Sequence, residues 1–188
     1  MPLDYMIRQL STLVNTPSPT GYTQAITQYV METLIEMGLE PKLTRKGEVL
    51  VHIGQVGDSL LLTSHLDTLG AMVRSIKSNG RLRLAKIGGY PESTIEGENC
   101  LVHTRNGKVY SGTVQLNEPA VHVNREIGDM KRNDDRIEVV LDECVSTLDE
   151  TKALGIDVAD FISFDPRFKV TDQGFIKSRY LDDKASCA

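Results

Sequence analysis

The chain has 188 residues, 40% hydrophobic and 25% charged, a composition suited to a globular protein of one large or two small domains. Acidic residues outnumber basic ones 26 to 21, no basic cluster is interleaved with aromatics, and no apolar run reaches the roughly 20 residues of a membrane helix. Nucleic acid and membrane are therefore not expected partners, and without a basic-then-apolar signal pattern at the N-terminus the expected location is cytoplasmic.

Leu3, Met6, Ile7, Leu10, Leu13 and Val14 recur at helical spacing and predict an amphipathic helix that stops before Pro17. Asn15 to Gly21 holds two prolines and a glycine and reads as a turn-rich loop. A second helix is predicted from Thr23 as N-cap to Gly38, with Ile26, Tyr29, Val30, Leu34 and Met37 as its apolar stripe. Lys42 to Arg45 and Glu48 to Ile53 predict a hairpin about Lys46-Gly47, on which His52 reads as an exposed structural histidine. A turn over Gly54 to Gly57 then leads into Ser59 to Ser64, a continuous apolar run of the kind found in buried strands. Two helices, a hairpin and a buried strand make a plausible first part of an α/β sandwich.

From about Leu69 the texture changes to short β-type runs. Ala71 to Ile76, Arg81 to Ile87, Cys100 to Thr104, Lys108 to Gln115 and Arg136 to Leu141 are set apart by Asn79-Gly80, Gly88-Gly89 and Asn106-Gly107, strong hairpin signals. Leu69 to about Asp172 is predicted to be an inserted small all-β barrel or sandwich. Glu118 to Asp135 would be a long exposed loop and Ser146 to Leu154 a short helix. His103 and His122 read as core or surface histidines. Cys100, Cys144 and Cys187 form no Cys-x-x-Cys pair, so they suggest neither a disulfide framework nor a zinc knuckle. They read as small buried hydrophobes, with Cys187 near enough to Asp182 to raise the alternative of an oxidation-sensitive thiol.

The residues with chemistry stand where two strand-like runs stop. Leu60-Leu61-Leu62-Thr63-Ser64 leads into His65-Leu66-Asp67, and residues i and i+2 of a strand share a face. His65 and Asp67 would then point together beyond the strand's carboxyl end, where open α/β sheets bind ligands. Ile176 to Leu181 likewise ends in Asp182-Asp183. Either motif alone is more often a surface hydrogen bond or a solvated turn; together they read as two halves of a metal site.

Ser64-His65-Leu66-Asp67-Thr68 and Leu181-Asp182-Asp183-Lys184 resemble the first two metal-site motifs of the tetrahedral aminopeptidases. These are dinuclear metallopeptidases also known as glutamyl or deblocking aminopeptidases and as endoglucanase-like proteins. Pro17-Ser18-Pro19-Thr20-Gly21 resembles a loop of the same family, and Gly155 to Pro166 its return strand. The resemblance spans essentially the whole chain. It implies a partial aminopeptidase-type α/β sandwich, phosphorylase/hydrolase-like, over residues 1–68 and 173–188, interrupted over 69–172 by a β-barrel that assembles homo-oligomers. It also implies a peptide substrate and two divalent metal ions, zinc or cobalt. His65 would ligate one, Asp182 would bridge both, Asp67 would serve catalysis by orienting His65, and Asp183 and Lys184 would shape the bridging loop. The family pattern further needs a Glu-Glu pair, a carboxylate for each metal and a late histidine, all expected beyond Ala188, so the chain is expected to be an N-terminal portion. Two alternatives stay open: a related dinuclear amidohydrolase of aminoacylase or carboxypeptidase type, and a non-catalytic assembly fragment.

Overall fold

The first helix, α1 (Leu3–Asn15), turns Leu10, Leu13 and Val14 inward and ends where the Thr16 amide bonds back to Thr12 and Leu13, one residue short of Pro17. In the computed structural model, which describes residues 3–54, 57 and 60–188, α2 (Gln24–Glu36) follows with Ile26 buried. Thr23 holds the N-cap position without a side-chain cap bond, and Gly38, at φ 79°, closes the helix as only glycine readily does. β1 (Lys42–Leu43) and β2 (Val49–Leu50) pair antiparallel about Gly47. The hairpin is thus shorter than the alternation predicted, and Ile53 lies beyond it, exposed. Among the described residues no helix is long and apolar enough to cross a membrane.

The buried strand expected over Ser59 to Ser64 is not formed. Ser59 and part of the predicted Gly54–Gly57 turn, Gln55 and Val56, lie outside the described residues. Leu60, Leu61 and Leu62 are in no strand and are 85%, 74% and 83% exposed. An apolar run becomes a strand only when another strand takes its amide and carbonyl groups, and among the described residues none pairs with this one. Ile176 to Leu181 is similarly shortened: β9 (Lys169–Val170) and β10 (Ile176–Lys177) form a two-stranded ribbon, and Asp182 follows an irregular turn instead of a strand end.

Residues 69–165 make a unit of their own, the other being 1–68 with 166–188. Six strands, β3 (Gly70–Ile76), β4 (Leu82–Ile87), β5 (Asn99–His103), β6 (Val109–Leu116), β7 (Ile137–Leu141) and β8 (Phe161–Phe164), close in the order β3-β4-β7-β6-β5-β8. Every neighbouring pair is antiparallel, so the choice between barrel and sandwich resolves to a closed barrel with no free edge. Alternate residues fill it: Ala71, Val73, Leu82, Leu84, Val102, Val114, Leu116, Val139 and Ile162 are all buried. β8 lies in the stretch 155–166 read as a return strand, inside the span 69–172 predicted for the insertion; Ile162 and Phe164 bury in the barrel core, and β3 and β5 each take β8 as a neighbour. Gly112 allows the close approach of β6 to β7, since a Cβ there would meet the Val140 carbonyl oxygen at 2.7 Å.

The 118–135 stretch forms no strand, as expected, but it is anchored: the Arg132 guanidinium binds Glu96 and donates to the Ile127 and Met130 carbonyls. α3 (Leu148–Ala153) starts from a capping box in which Thr147 and Glu150 satisfy each other's backbone amides. Of the cysteines, Cys100 is buried, whereas Cys144 is exposed, contrary to the reading of all three as core residues; it lies in the bend between β7 and α3.

Glu138 and His103 are among the polar groups buried in the barrel. Glu138 on β7 takes Lys77 on one carboxylate oxygen and Arg81 on the other. Removing one partner of such a group strands the others, so Glu138→Ala is expected to lower the unfolding free energy by about 3 kcal/mol, read from the urea midpoint. His103 on β5 sits 2.8 Å from the Ser163 hydroxyl, and burial pushes its imidazole down to about 4 from the ordinary 6.5. The unfolded chain takes up this proton near 6.5 and the folded barrel only near 4, so the contribution is intact above 6.5 and lost as the pH falls to 4. We expect up to about 3 kcal/mol of stability to go over that window, and His103→Gln to flatten this part of the pH profile.

Candidate functional site

The site begins with a loop that zips onto a strandless segment. Ser18 is fully buried; its hydroxyl donates to the Leu66 carbonyl at 2.8 Å and its own carbonyl accepts from the Thr68 amide at 2.8 Å. The Thr20 amide reaches the Thr68 carbonyl at 3.3 Å, completing a short parallel bridge at Pro19 and Thr68. Prolines at 17 and 19 pre-set the extended backbone this bridge needs. Leu66 to Thr68 is thereby held without a sheet.

His65 stands between two carboxylates. Its Nδ1 lies 3.2 Å from Asp67 Oδ1 and 3.1 Å from the Asp67 carbonyl, and its Nε2 lies 3.2 Å from Asp182 Oδ1. The other Asp67 oxygen accepts from the Thr20 hydroxyl at 2.6 Å. Burial lowers the His65 pKa, but the bond to the Asp67 carbonyl and the charges of Asp67 and Asp182 outweigh it and hold the value above the ordinary one. The Asp182 side chain is 96% exposed and the imidazole about half exposed.

Asp182 is placed by its neighbours. Tyr180 turns the chain with φ 68°, Asp182 and Asp183 carry non-helical dihedrals, and the peptide between them is cis. Two residues on, Lys184 is fully buried, and its Nζ donates to the Leu13 and Thr16 carbonyls at 2.7 and 2.9 Å. The Leu13 carbonyl, which also takes the Thr16 amide at 3.3 Å, and the Thr16 carbonyl just past it stand at the C-terminal end of α1, a position that favours a cation. Burial pushes the Lys184 pKa down to about 8. Cys187 brings its Sγ to 2.9 Å from the Ser64 hydroxyl, and burial raises its pKa. A cleft of about 590 Å³ opens beside His65 and Asp67, lined also by Thr20, Thr27, Val30 and Lys46.

Of the predicted residues, His65, Asp67 and Asp182 thus come together across 117 positions of sequence, while His52 and His122 are exposed and His103 is in the barrel. Sequence reasoning placed Lys184 in the bridging loop without its burial, and missed the roles of Ser18 and Thr20. The donor set suits a divalent cation in kind. With the ring hydrogen on Nδ1 toward Asp67, Nε2 and Asp182 Oδ1 present lone pairs to each other, an arrangement stable only with a proton or a cation between them. Neighbouring ligands of one tetrahedral zinc stand about 3.4 Å apart, close to the spacing seen. In number the set is short: among the described residues no three or more His, Cys, Asp or Glu side chains are grouped to hold a metal ion.

A mixed α/β protein with a closed six-stranded barrel, and a His-x-Asp segment facing an Asp-Asp turn, has the fold of solved archaeal aminopeptidases. The aminopeptidase APDkam598 from Desulfurococcus kamchatkensis matches with a TM-score of 0.84 at 22% identity, over 96% of this chain and 49% of its own. The Pyrococcus horikoshii TET1 peptidase, which can assemble into a tetrahedron or a large octahedral shell, matches with a TM-score of 0.80 at 24% identity, over 95% and 52%. The chain belongs to the M42 glutamyl aminopeptidase family, whose model matches residues 47–188. Among relatives, the "Putative aminopeptidase YhfE" of Bacillus subtilis (strain 168) is 45% identical over 181 residues, covering 95% of this chain and 52% of that protein. The lysyl aminopeptidase of Pyrococcus furiosus is 26% identical over 176 residues, covering 93% and 50%. The chain spans about half the length of the curated relatives it matches.

Because Lys184 satisfies two helix-end carbonyls and ties the Asp182 turn to α1, Lys184→Met is expected to cost about 2–3 kcal/mol of stability. The check is a urea unfolding curve, in which an unchanged midpoint would count against the anchoring role.

Proposed function

We propose that this chain is part of a metal-dependent aminopeptidase that removes N-terminal residues from peptides. The observation that carries this reading is His65 held between Asp67 and Asp182, with a contact of 3.2 Å on each ring nitrogen. His65 and Asp182 would hold metal, Asp182 by bridging two ions, while Asp67 keeps the ring hydrogen on Nδ1 and leaves the Nε2 lone pair for ligation. When bound, a pair of zinc or cobalt ions supplies Lewis acidity and a nucleophile usable at neutral pH. Lys184 holds the Asp182 turn against α1, and the exposed His65 leaves the site open to a peptide from solvent.

Two ligands do not complete two metal centres, so the remaining carboxylates, the late histidine and a glutamate base would come from polypeptide outside these 188 residues. The same polypeptide would pair with Leu60 to Ser64 and complete the α/β sandwich, covering three leucines that now face solvent. The barrel, folded as a separate unit, would mediate homo-oligomer assembly, in keeping with the shells formed by the TET1 peptidase.

The test is a peptidase assay on the polypeptide that carries this chain, using matched peptides with free and acetylated N-termini. Release of the first residue from free peptides only, abolished by a chelator and restored by zinc or cobalt, is expected. His65→Ala should lower kcat/KM by more than about a hundredfold, beyond what loss of a ligand's supporting partner costs. Preferred cleavage of the acetylated peptides would replace this reading with an amidohydrolase, and chelator-resistant activity would end it.

A further inference from the structure

We infer that Thr20 is a positioning residue for the metal site, and that its hydroxyl holds the Asp67 carboxylate in place beside His65. This rests on the reading of His65 as a metal ligand. The Asp67 carboxylate uses its two oxygens in two directions, Oδ1 toward His65 Nδ1 at 3.2 Å and Oδ2 toward the Thr20 hydroxyl at 2.6 Å. The short distance is that of a hydroxyl donating to an ionised carboxylate. The Asp67 carbonyl, 3.1 Å from Nδ1, keeps the ring hydrogen there, and the bond at Oδ2 holds the carboxylate in one plane with its charge beside the ring.

The support is local: the His65 segment is held by the Ser18 to Thr20 bridge, and the two residues divide the work. Ser18, fully buried, makes its bonds to the backbone of Leu66 and Thr68. Thr20, exposed, bonds the backbone of Thr68 through its amide and spends its hydroxyl on a side chain. A hydroxyl needed only for solubility or for the turn has no reason to face Asp67. Valine keeps the shape and the amide of Thr20 and removes the hydroxyl alone, and serine restores it.

The experiment uses the polypeptide that carries this chain. Its readout is the affinity for cobalt(II) by calorimetry, with His65→Ala as the control for the ligand itself. Thr20→Val and Thr20→Ala are expected to weaken binding about tenfold, at the low end of the range for lost ligand supports, and Thr20→Ser to restore it. Thr20→Val and Asp67→Asn combined should weaken binding no further than Asp67→Asn alone, since both act through one carboxylate. Thr20→Ala keeps the test in place where the valine variant misfolds. If His65→Ala binds cobalt like the wild type, the reading of His65 as a ligand fails and the role of Thr20 with it. If His65→Ala abolishes binding while Thr20→Val binds cobalt like the wild type, or Thr20→Ser is as weak as Thr20→Val, Thr20 has no positioning role and the reading of His65 stands.

Discussion

A buried ammonium group organises the first unit of this protein. Lys184 crosses from the late turn to the end of α1 and satisfies the Leu13 and Thr16 carbonyls, with its Nζ 5.8 Å from the Tyr180 ring. Taking a lysine out of water is costly, and the displaced pKa near 8 measures that cost; the two carbonyls and the ring offset it. With Lys184 fixed, Asp182 two residues before it has little freedom and reaches His65. The candidate site is therefore made by a contact between residues near the start and near the end of the chain, held by one side chain that itself faces away from the site.

The two carboxylates on His65 differ in what their surroundings ask of them. Asp67 is tied on both sides, to the imidazole and to a hydroxyl, and is fixed by a loop whose prolines remove conformational freedom before the fold forms. Asp182 is bonded on one side and otherwise faces solvent. A fixed carboxylate suits orienting a ring, and an open one suits taking a further ligand. That asymmetry, more than the mere presence of two acids near a histidine, is what the proposed hydrolytic centre rests on.

The barrel achieves completeness in a different way. Its six strands satisfy one another in a closed ring, its interior is filled by alternate residues, and its buried Glu138 and His103 each have a partner. The first unit, by contrast, leaves Leu60 to Leu62 in solvent. A β-rich insertion that satisfies its own edges can interrupt a chain without depending on what surrounds it, whereas a strand of an open sheet exists only through its neighbours.

Much of this was legible in the residues. The two helices follow from the apolar spacing of Leu3 to Val14 and Ile26 to Met37, and the barrel strands from alternation broken at Asn79-Gly80 and Asn106-Gly107, because period and turn chemistry act over a few residues. His65, Asp67 and Asp182 stood out as polar residues at the ends of apolar runs. What the sequence could not decide depends on partners distant along the chain: whether Leu60 to Ser64 is a strand, which strands Phe161–Phe164 pairs with to close the barrel, and that Lys184 is buried while Cys144 is not. Thr20 shows the division most plainly. Its place in a Pro-Ser-Pro-Thr-Gly turn was written in the local sequence, but its bond to a carboxylate 47 residues away exists only once tertiary structure brings two unpaired backbone segments together.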